Sequence, residues 1–379
     1  MGRFLFLITI LLLAGCSGRS AQHYTTETLP NGAVHVINRT PSGWSDSASI
    51  TLVLERTILP PEGSPGELSF PLELAALEDG RIVVNDGPGG GILIFNADGE
   101  FDRKIGRHGD GPGEYGEMFS LGAVRHYVVI QECNKARATI FDVANDTSTQ
   151  WRSVDCMSSQ GLRITPEGAL WLADRLRDST SGTRIPALVQ WSSRGEPLDT
   201  FRLPPWREPA LWMAGNAAIP IPYSPHSHDA GTPPLIWSGQ GSALDFHLVN
   251  GIGDTVRIAT IPGAAQPVPD SLRQAVVDRF ATSQRFAGVA KLEDIPTMHP
   301  LFTDLSVDDR GRLWIHRPAS DGTVGHFEIL DRNGVWLGTV RAPGGSGREL
   351  LWANDRFYRI IENVEGQPAI EVCRVEGET

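Results

Sequence analysis

Three stretches decide the fold: AALEDGRIVVND at Ala75–Asp86, LRITPEGALWLAD at Leu162–Asp174 and LSVDDRGRLWIHR at Leu305–Arg317. Each reads as an apolar strand, an acidic turn ending on Gly80, Gly168 or Gly311, and a second apolar strand. Glycine tolerates the positive φ that tight turns demand, so each stretch predicts a β-hairpin. A second hairpin follows each one: ILIFNADGEFDRKIG at Ile92–Gly106, LVQWSSRGEPLDTFRL at Leu188–Leu203 and FEILDRNGVWLGTV at Phe327–Val340. Two hairpins in series make a four-stranded antiparallel meander, the unit of a propeller blade.

Spacing turns these units into a ring. Gly80 and Gly168 lie 88 residues apart, two steps of about 44, a spacing typical of propeller repeats. The intermediate copy falls at Leu121–Glu132, turning near Arg125 and His126, with its second hairpin at Ala138–Val154. Gly168 to Gly311 spans 143 residues, and two insertions account for the excess: a Pro-rich stretch, Pro204–Pro234, and Gly263–Pro300. Between them Leu235–Ile261 is expected as a degenerate fourth blade. The last blade begins near Glu349, with Arg356–Glu362 and Ala369–Val375 as strands, and lacks a fourth. Ile50–Ile58 is apolar and unassigned, and supplies that strand, leaving no exposed edge.

The expected fold is therefore all-β: a six-bladed β-propeller over residues 49–376, closed by an N-terminal strand, with a short helical insertion between blades four and five. A seventh blade needs another ~40 residues, and the regular period argues against a β-sandwich. Alternating apolar residues, such as Ile82 with Val84 and Leu170 with Leu172, should pack blade on blade. The helix is expected over Pro267–Ala281, with Pro269 and Asp270 as start signals and Leu272, Val276, Val277 and Phe280 on one face. That face is expected to dock on the propeller.

The first sixteen residues set the address. Arg3 is followed by an uncharged run, Phe4–Ala14, too short for the ~20 residues a membrane-spanning helix needs but the size of a signal-peptide core. Leu13-Ala14-Gly15-Cys16 resembles the lipobox of bacterial lipoproteins. That resemblance implies cleavage before Cys16 and a lipid thioether on its sulfur; the alternative is an ordinary signal peptide with a chance cysteine. Residues 1–15 then form the signal peptide and 16–48 a lipidated tether and linker. Ser17 in place of Asp favours the outer membrane of the cell envelope.

Forty-five acidic residues against thirty-three basic ones give a net charge of −12. With no basic cluster, this surface repels phosphate backbones and argues against nucleic acid as a partner. Three cysteines follow Cys16. Cys133 and Cys156 flank one repeat and are a possible disulfide. Cys373 sits in an apolar run as a buried small hydrophobe. No cysteine spacing resembles a zinc site.

The run Gly106–Tyr115, GRHGDGPGEY, lies between two blades. It resembles a motif of six-bladed propeller lipoproteins, relatives of the NHL-repeat group that mostly lack assigned functions. The resemblance covers nearly all of the chain after residue 30, including Trp336-LGTV and the helical insertion; the fourth blade departs from it. It implies fold and export and no reaction.

In a propeller, the loops between second and third strands and the inter-blade crossovers open on one face. Asp86, Glu132, Asp174, Arg175 and Arg317 map there, as do His316, Glu362 and the 106–115 loop with Arg107, Asp110 and Glu114. Two functions fit such a rim. One is a non-catalytic binding module for an envelope protein, peptide or glycan, with arginine forks engaging carboxylates or sugars. The other is a metal-dependent hydrolase, lactonase or lyase in the channel. Converging carboxylates suit Ca²⁺. Gluconolactonase-like propellers use such an ion to polarise a carbonyl, and NHL-related lyases place zinc on channel histidines. No catalytic residue is singled out and no cofactor is expected for the binding module; Ca²⁺ or Zn²⁺ belongs to the enzyme alternative. Gly109, Gly111 and Gly113 around Pro112 are expected to make a tight crossover, with Glu114 accepting backbone N–H groups. No GK[ST] follows to make a phosphate loop, and no G-x-S-x-G elbow is present. His226 and His228 form an H-x-H pair, expected in a loop, with no third metal ligand evident in the sequence nearby.

Overall fold

The computed structural model describes residues 22–43, 50–116, 120–132, 135–152, 162–177, 184–205, 207–215, 217–283, 287–319, 325–341 and 350–376. The chain opens with a hairpin, β1 (Tyr24–Thr28) and β2 (Val34–Asn38), then β3 (Thr51–Ile58). Blade one is β4 (Glu73–Ala76), β5 (Ile82–Asn85), β6 (Ile92–Phe95) and β7 (Phe101–Ile105). A short parallel pair, β8 (Arg107–His108) and β9 (Glu114–Tyr115), makes the crossover to blade two. Blade two is β10 (Ser120–Val124), β11 (Tyr127–Glu132), β12 (Arg137–Asp142) and β13 (Thr147–Arg152). Blade three is β14 (Leu162–Ile164), β15 (Leu170–Arg177), β16 (Arg184–Trp191) and β17 (Pro197–Arg202). A two-stranded ribbon, β18 (Leu211–Ala214) and β19 (Ala217–Pro220), precedes blade four. That blade is β20 (Ser227–Thr232), β21 (Leu235–Gln240), β22 (Asp245–Val249) and β23 (Thr255–Thr260). The helix α1 (Asp270–Ala281) follows. Blade five is β24 (Asp304–Val307), β25 (Leu313–Arg317), β26 (His326–Leu330) and β27 (Trp336–Arg341). Blade six is β28 (Leu350–Ala353), β29 (Arg356–Glu362), β30 (Pro368–Glu376) and the returning β3.

The innermost strands β4, β10, β14, β20, β24 and β28 touch in cyclic order, with β28 against β4, so the ring is closed. Closure follows the expected route: β3 pairs antiparallel with β30 from Thr51↔Glu376 to Ile58↔Ile370, with a bulge between Leu54 and Arg56. The turn glycines Gly80, Gly168 and Gly311 adopt φ of 87°, 91° and 75°. Blade two has no glycine in the equivalent turn; Arg125 takes φ 55° there instead.

Period-two alternation sorts each strand between two neighbours. Ile82 and Val84 face blade six while Val83 faces blade two. Leu170 and Leu172 face blade two while Trp171 faces blade four. Each blade–blade interface is filled by its own buried apolar cluster. Both faces of every sheet are covered, so the central strands are continuously apolar rather than alternating with polar residues. Cys373 is fully buried between blades five and six, as expected of a small hydrophobe.

Three expectations need correction. Within the supposed tether, residues 24–38 form the β1–β2 hairpin, and β2 pairs parallel with β23, extending blade four to six strands. Asn38 explains why it stays: its amide donates to the Thr260 and Gly334 carbonyls at 3.0 Å each, and its oxygen accepts from Trp336 N–H at 2.8 Å. Second, blade four starts at Ser227, inside the stretch read as a Pro-rich insertion. Its first strand, SHDAGT, has a single β-branched residue, and pairing with β21 rather than propensity holds it. Third, α1 turns the expected face inward, but onto the other insertion. Val276, Val277 and Phe280 pack with Trp212 and Ile221, and Trp212 meets Phe280 edge-on at 5.5 Å. The buried Arg273 donates to the Ile295 and Leu292 carbonyls at 3.0 and 2.8 Å. The two insertions thus form one satellite with its own small core.

Removing residues up to 43 should leave a closed ring that unfolds cooperatively at a lowered temperature. Removing residues up to 58 also takes β3 and should abolish the cooperative transition. Melting both truncations by circular dichroism checks this; identical melts would mean that the ring closes without β3.

Candidate functional site

The crossover face was expected to present charges to a ligand. Asp86 directly follows β5 and is fully buried. Its carboxylate accepts the backbone N–H groups of Ser69 and Phe70, each at 2.9 Å. Burial pushes its pKa up, and those two amides oppose the shift. Glu132, at the matching end of β11, is also fully buried. It accepts the Gly116 N–H at 2.6 Å and Arg137 Nε at 2.5 Å. Each of these acids reaches an amide a few residues before its own blade starts, and so pins the incoming crossover. In blade five the equivalent pair, His316 and Arg317, has similar contacts. His316 Nδ1 lies 2.9 Å from Thr303 Oγ, and Arg317 donates to the Ala264 carbonyl at 3.3 Å. Arg317 is largely buried, which lowers its pKa.

The 106–115 crossover folds on itself as expected. Glu114 accepts the Gly111 N–H at 2.7 Å and Arg107 Nε at 2.7 Å; the amide first, and then the guanidinium, hold its carboxyl below the usual range. Any side chain at Gly109 would run into that carboxylate. Lys135 Nζ reaches Asp110 at 2.5 Å, and Arg137 donates to the Gly109 and Asp110 carbonyls, tying the loop to blade two. The structure therefore brings Arg107, Glu114 and Glu132 into one network. Asp86 and Arg317 stand apart from it, on blades one and five. Asp174 and Arg175 lie side by side in the middle of β15, paired with Ala187 and Pro186; β15 runs on to Arg177, so these two positions are within a strand rather than in a loop. Cys16, Cys133 and Cys156 lie outside the described residues.

His228 is on β20, not in a loop, and is buried; His226 immediately precedes the strand. Their rings lie 4.2 Å apart, and His228 Nδ1 is 3.6 Å from Asp304 Oδ1 at the start of β24. Among the described residues, no three His, Cys, Asp or Glu side chains already stand grouped for a metal ion.

A concavity lies on the opposite face, between blades two and three. It has a volume of about 410 Å³ and is walled by Val124, Tyr127, Val129, Ile140, Ile164, Leu170 and Trp191. Asp142, Thr147, Thr149, Ser192 and Ser193 form the polar side of its lining. These residues come from the hairpin turns of both blades and the strand ends beside them. Asparagine 145 holds the Asp142 carboxyl below its usual range, through its side-chain amide above all. Sequence reasoning missed this groove, because it arises where two blades diverge and leaves no local pattern. A smaller hollow of about 240 Å³ between blades five and six is lined by Asp308, Arg312, Trp352, Asp355 and Arg374.

A family model described as a 6-bladed beta-propeller matches residues 72–143. A Bacteroides fragilis protein described as exported is similar in structure, with a TM-score of 0.51 at 13% identity over 90% of this chain and 99% of that one. A gluconolactonase from Xanthomonas campestris has a TM-score of 0.42 at 14% identity, covering 88% and 99%. A virginiamycin B lyase from Staphylococcus aureus has 0.41 at 10%, covering 86% and 99%. No curated protein matches the sequence. The family-model match agrees with the six-bladed fold derived above.

Glu132→Ala would take away the charged acceptor of Arg137 Nε and the acceptor of the Gly116 amide, leaving Arg137 only the Gly109 and Asp110 carbonyls. It should destabilise the fold by roughly 3–5 kcal/mol. Asp86→Ala leaves two part-buried amides without their acceptor, at about 1 kcal/mol each. Arg107→Ala, at a side chain 80% exposed, should leave the denaturation midpoint unchanged. Urea denaturation of the three variants tests the ranking; equal midpoints would contradict the anchoring role.

Proposed function

We propose that the chain is an exported, lipid-anchored propeller that acts as a non-catalytic binding module for an envelope protein, peptide or glycan. The observation that carries the binding reading is the groove between blades two and three. It pairs an apolar wall holding Tyr127 and Trp191 with hydroxyls and the Asp142 carboxylate. Aromatic faces take up aliphatic side chains or the apolar face of a sugar ring, while a few placed polar groups fix orientation. The groove sits on the turn face, away from the crossover face where the acids anchor loops. The anchor reading rests on Leu13-Ala14-Gly15-Cys16, whose thiol is the nucleophilic side chain that lipidation requires.

Two measurements test this reading. Cys16→Ala should move the full-length protein from the membrane to the soluble fraction and abolish labelling by radioactive fatty acid. An unchanged membrane fraction with no label in the wild type would rule out the lipid anchor. For binding, Thr149→Trp fills the groove from an exposed position. A partner retained from envelope extracts or on a glycan array by residues 22–379 should be lost with this variant. Equal retention by both proteins would place binding elsewhere.

A further inference from the structure

We propose that His226 and His228, with Asp304 from the next blade, form a binding site for a divalent transition-metal ion of the zinc class. The site lies at the crossover-face mouth of the channel, where β20 and β24, two adjacent innermost strands, begin. It is independent of the groove between blades two and three.

Extended backbone through His226-Ser227-His228 puts both imidazoles on one side, and their rings are 4.2 Å apart with a 39° tilt. His226 Nδ1 lies 3.1 Å from the Ser224 carbonyl. A carbonyl only accepts, so Nδ1 carries the proton and Nε2 keeps a free lone pair, the arrangement that metal-binding histidines use. His228 is 3% exposed, and neither of its ring nitrogens has a hydrogen-bond partner. A neutral imidazole carries one N–H and one lone pair, so burying both unpaired is unfavourable. An ion on one nitrogen relieves half of that penalty.

His228 Nδ1 and Asp304 Oδ1 stand 3.6 Å apart. Two ligands on one tetrahedral ion, with bonds of ~2.0–2.1 Å, lie roughly 3.4 Å apart, so this pair needs little adjustment. The three donors are not yet closed around one point. Asp304, whose side chain is 43% exposed, has room to swing inward. Phe302, with its ring 5.4 Å from that of His228, gives the site an apolar wall. Two nitrogens and one oxygen favour zinc-class ions over Ca²⁺, which prefers an all-oxygen shell.

The test uses residues 22–379 stripped with EDTA, titrated with Zn²⁺ by calorimetry and with Co²⁺ by visible absorption. One equivalent should bind, with cobalt bands of a four- or five-coordinate nitrogen–oxygen site. His226→Asn and His228→Ala should each weaken binding by about tenfold or more, and Asp304→Asn should weaken it less. His126→Asn, on another blade, should not change it. If His228→Ala does not fold by circular dichroism, the half-buried His226→Asn and Asp304→Asn carry the test. No saturable binding, or binding equal in wild type, His226→Asn and Asp304→Asn, overturns the proposal and leaves His228 and Asp304 as an ion pair only.

Discussion

Everything in this molecule depends on the pairing of β3 with β30. A propeller blade buries neither of its faces alone; each sheet is covered only by the blades on either side. The ring therefore has to close, and its last sheet is one strand short when the chain reaches its C-terminal end. The Thr51–Ile58 strand completes it by pairing with residues 370–376. This contact spans almost the whole sequence and carries a high loop-closure cost that is repaid only when the clusters on both sides of blade six form. Ile58 and Ile370 belong to the cluster facing blade one, and Leu52 and Cys373 to the one facing blade five. One strand thus completes two interfaces.

The blades that were easiest to read are those whose turns require glycine. Gly80, Gly168 and Gly311 mark positive-φ positions that most residues avoid, and the 44-residue step follows from them. Blade two was legible only by spacing, because Arg125 adopts the same conformation without a glycine to announce it. Blade six is similar: Asn354 and Asp355 make its first turn with φ of 56° and 57°. The β1–β2 hairpin did carry a local signal, Pro30-Asn31-Gly32 between two runs that favour strands. Its docking on β23 did not, because a parallel pairing of segments more than 200 residues apart leaves no local trace.

The functional face was less legible, for a different reason. The pattern put Asp86 and Glu132 at the crossover ends of the second strands, while Asp174 falls within its strand; an acid's position does not reveal its partner. Asp86 and Glu132 could face a ligand or an amide of their own chain, and the two cases share one sequence. The difference is made by the crossovers, which pass over the ends of the strands and bring unpaired N–H groups with them. A buried amide requires an acceptor, and an acidic side chain two or three ångströms away is a strong one.

That requirement also separates the two faces of the ring. On the crossover side, long connections bring many orphan backbone groups, and anchoring side chains are drawn into satisfying them. On the turn side, two- to four-residue hairpin turns bond within themselves, as Gly168 N–H does to Thr165 and Gly195 N–H to Ser192. Side chains there serve only their own turns: Ser192 Oγ accepts the Arg194 and Glu196 N–H groups, and the Asp142 carboxylate accepts those of Ala144 and Asn145. Where blades two and three diverge, Tyr127 and Ile164 line a concavity, and Val129, Leu170 and Trp191 belong both to its lining and to the packing between the blades. A concavity whose polar groups are held by their own turns and whose apolar lining is partly open is better placed to bind a partner than a rim whose charges hold the crossovers in place.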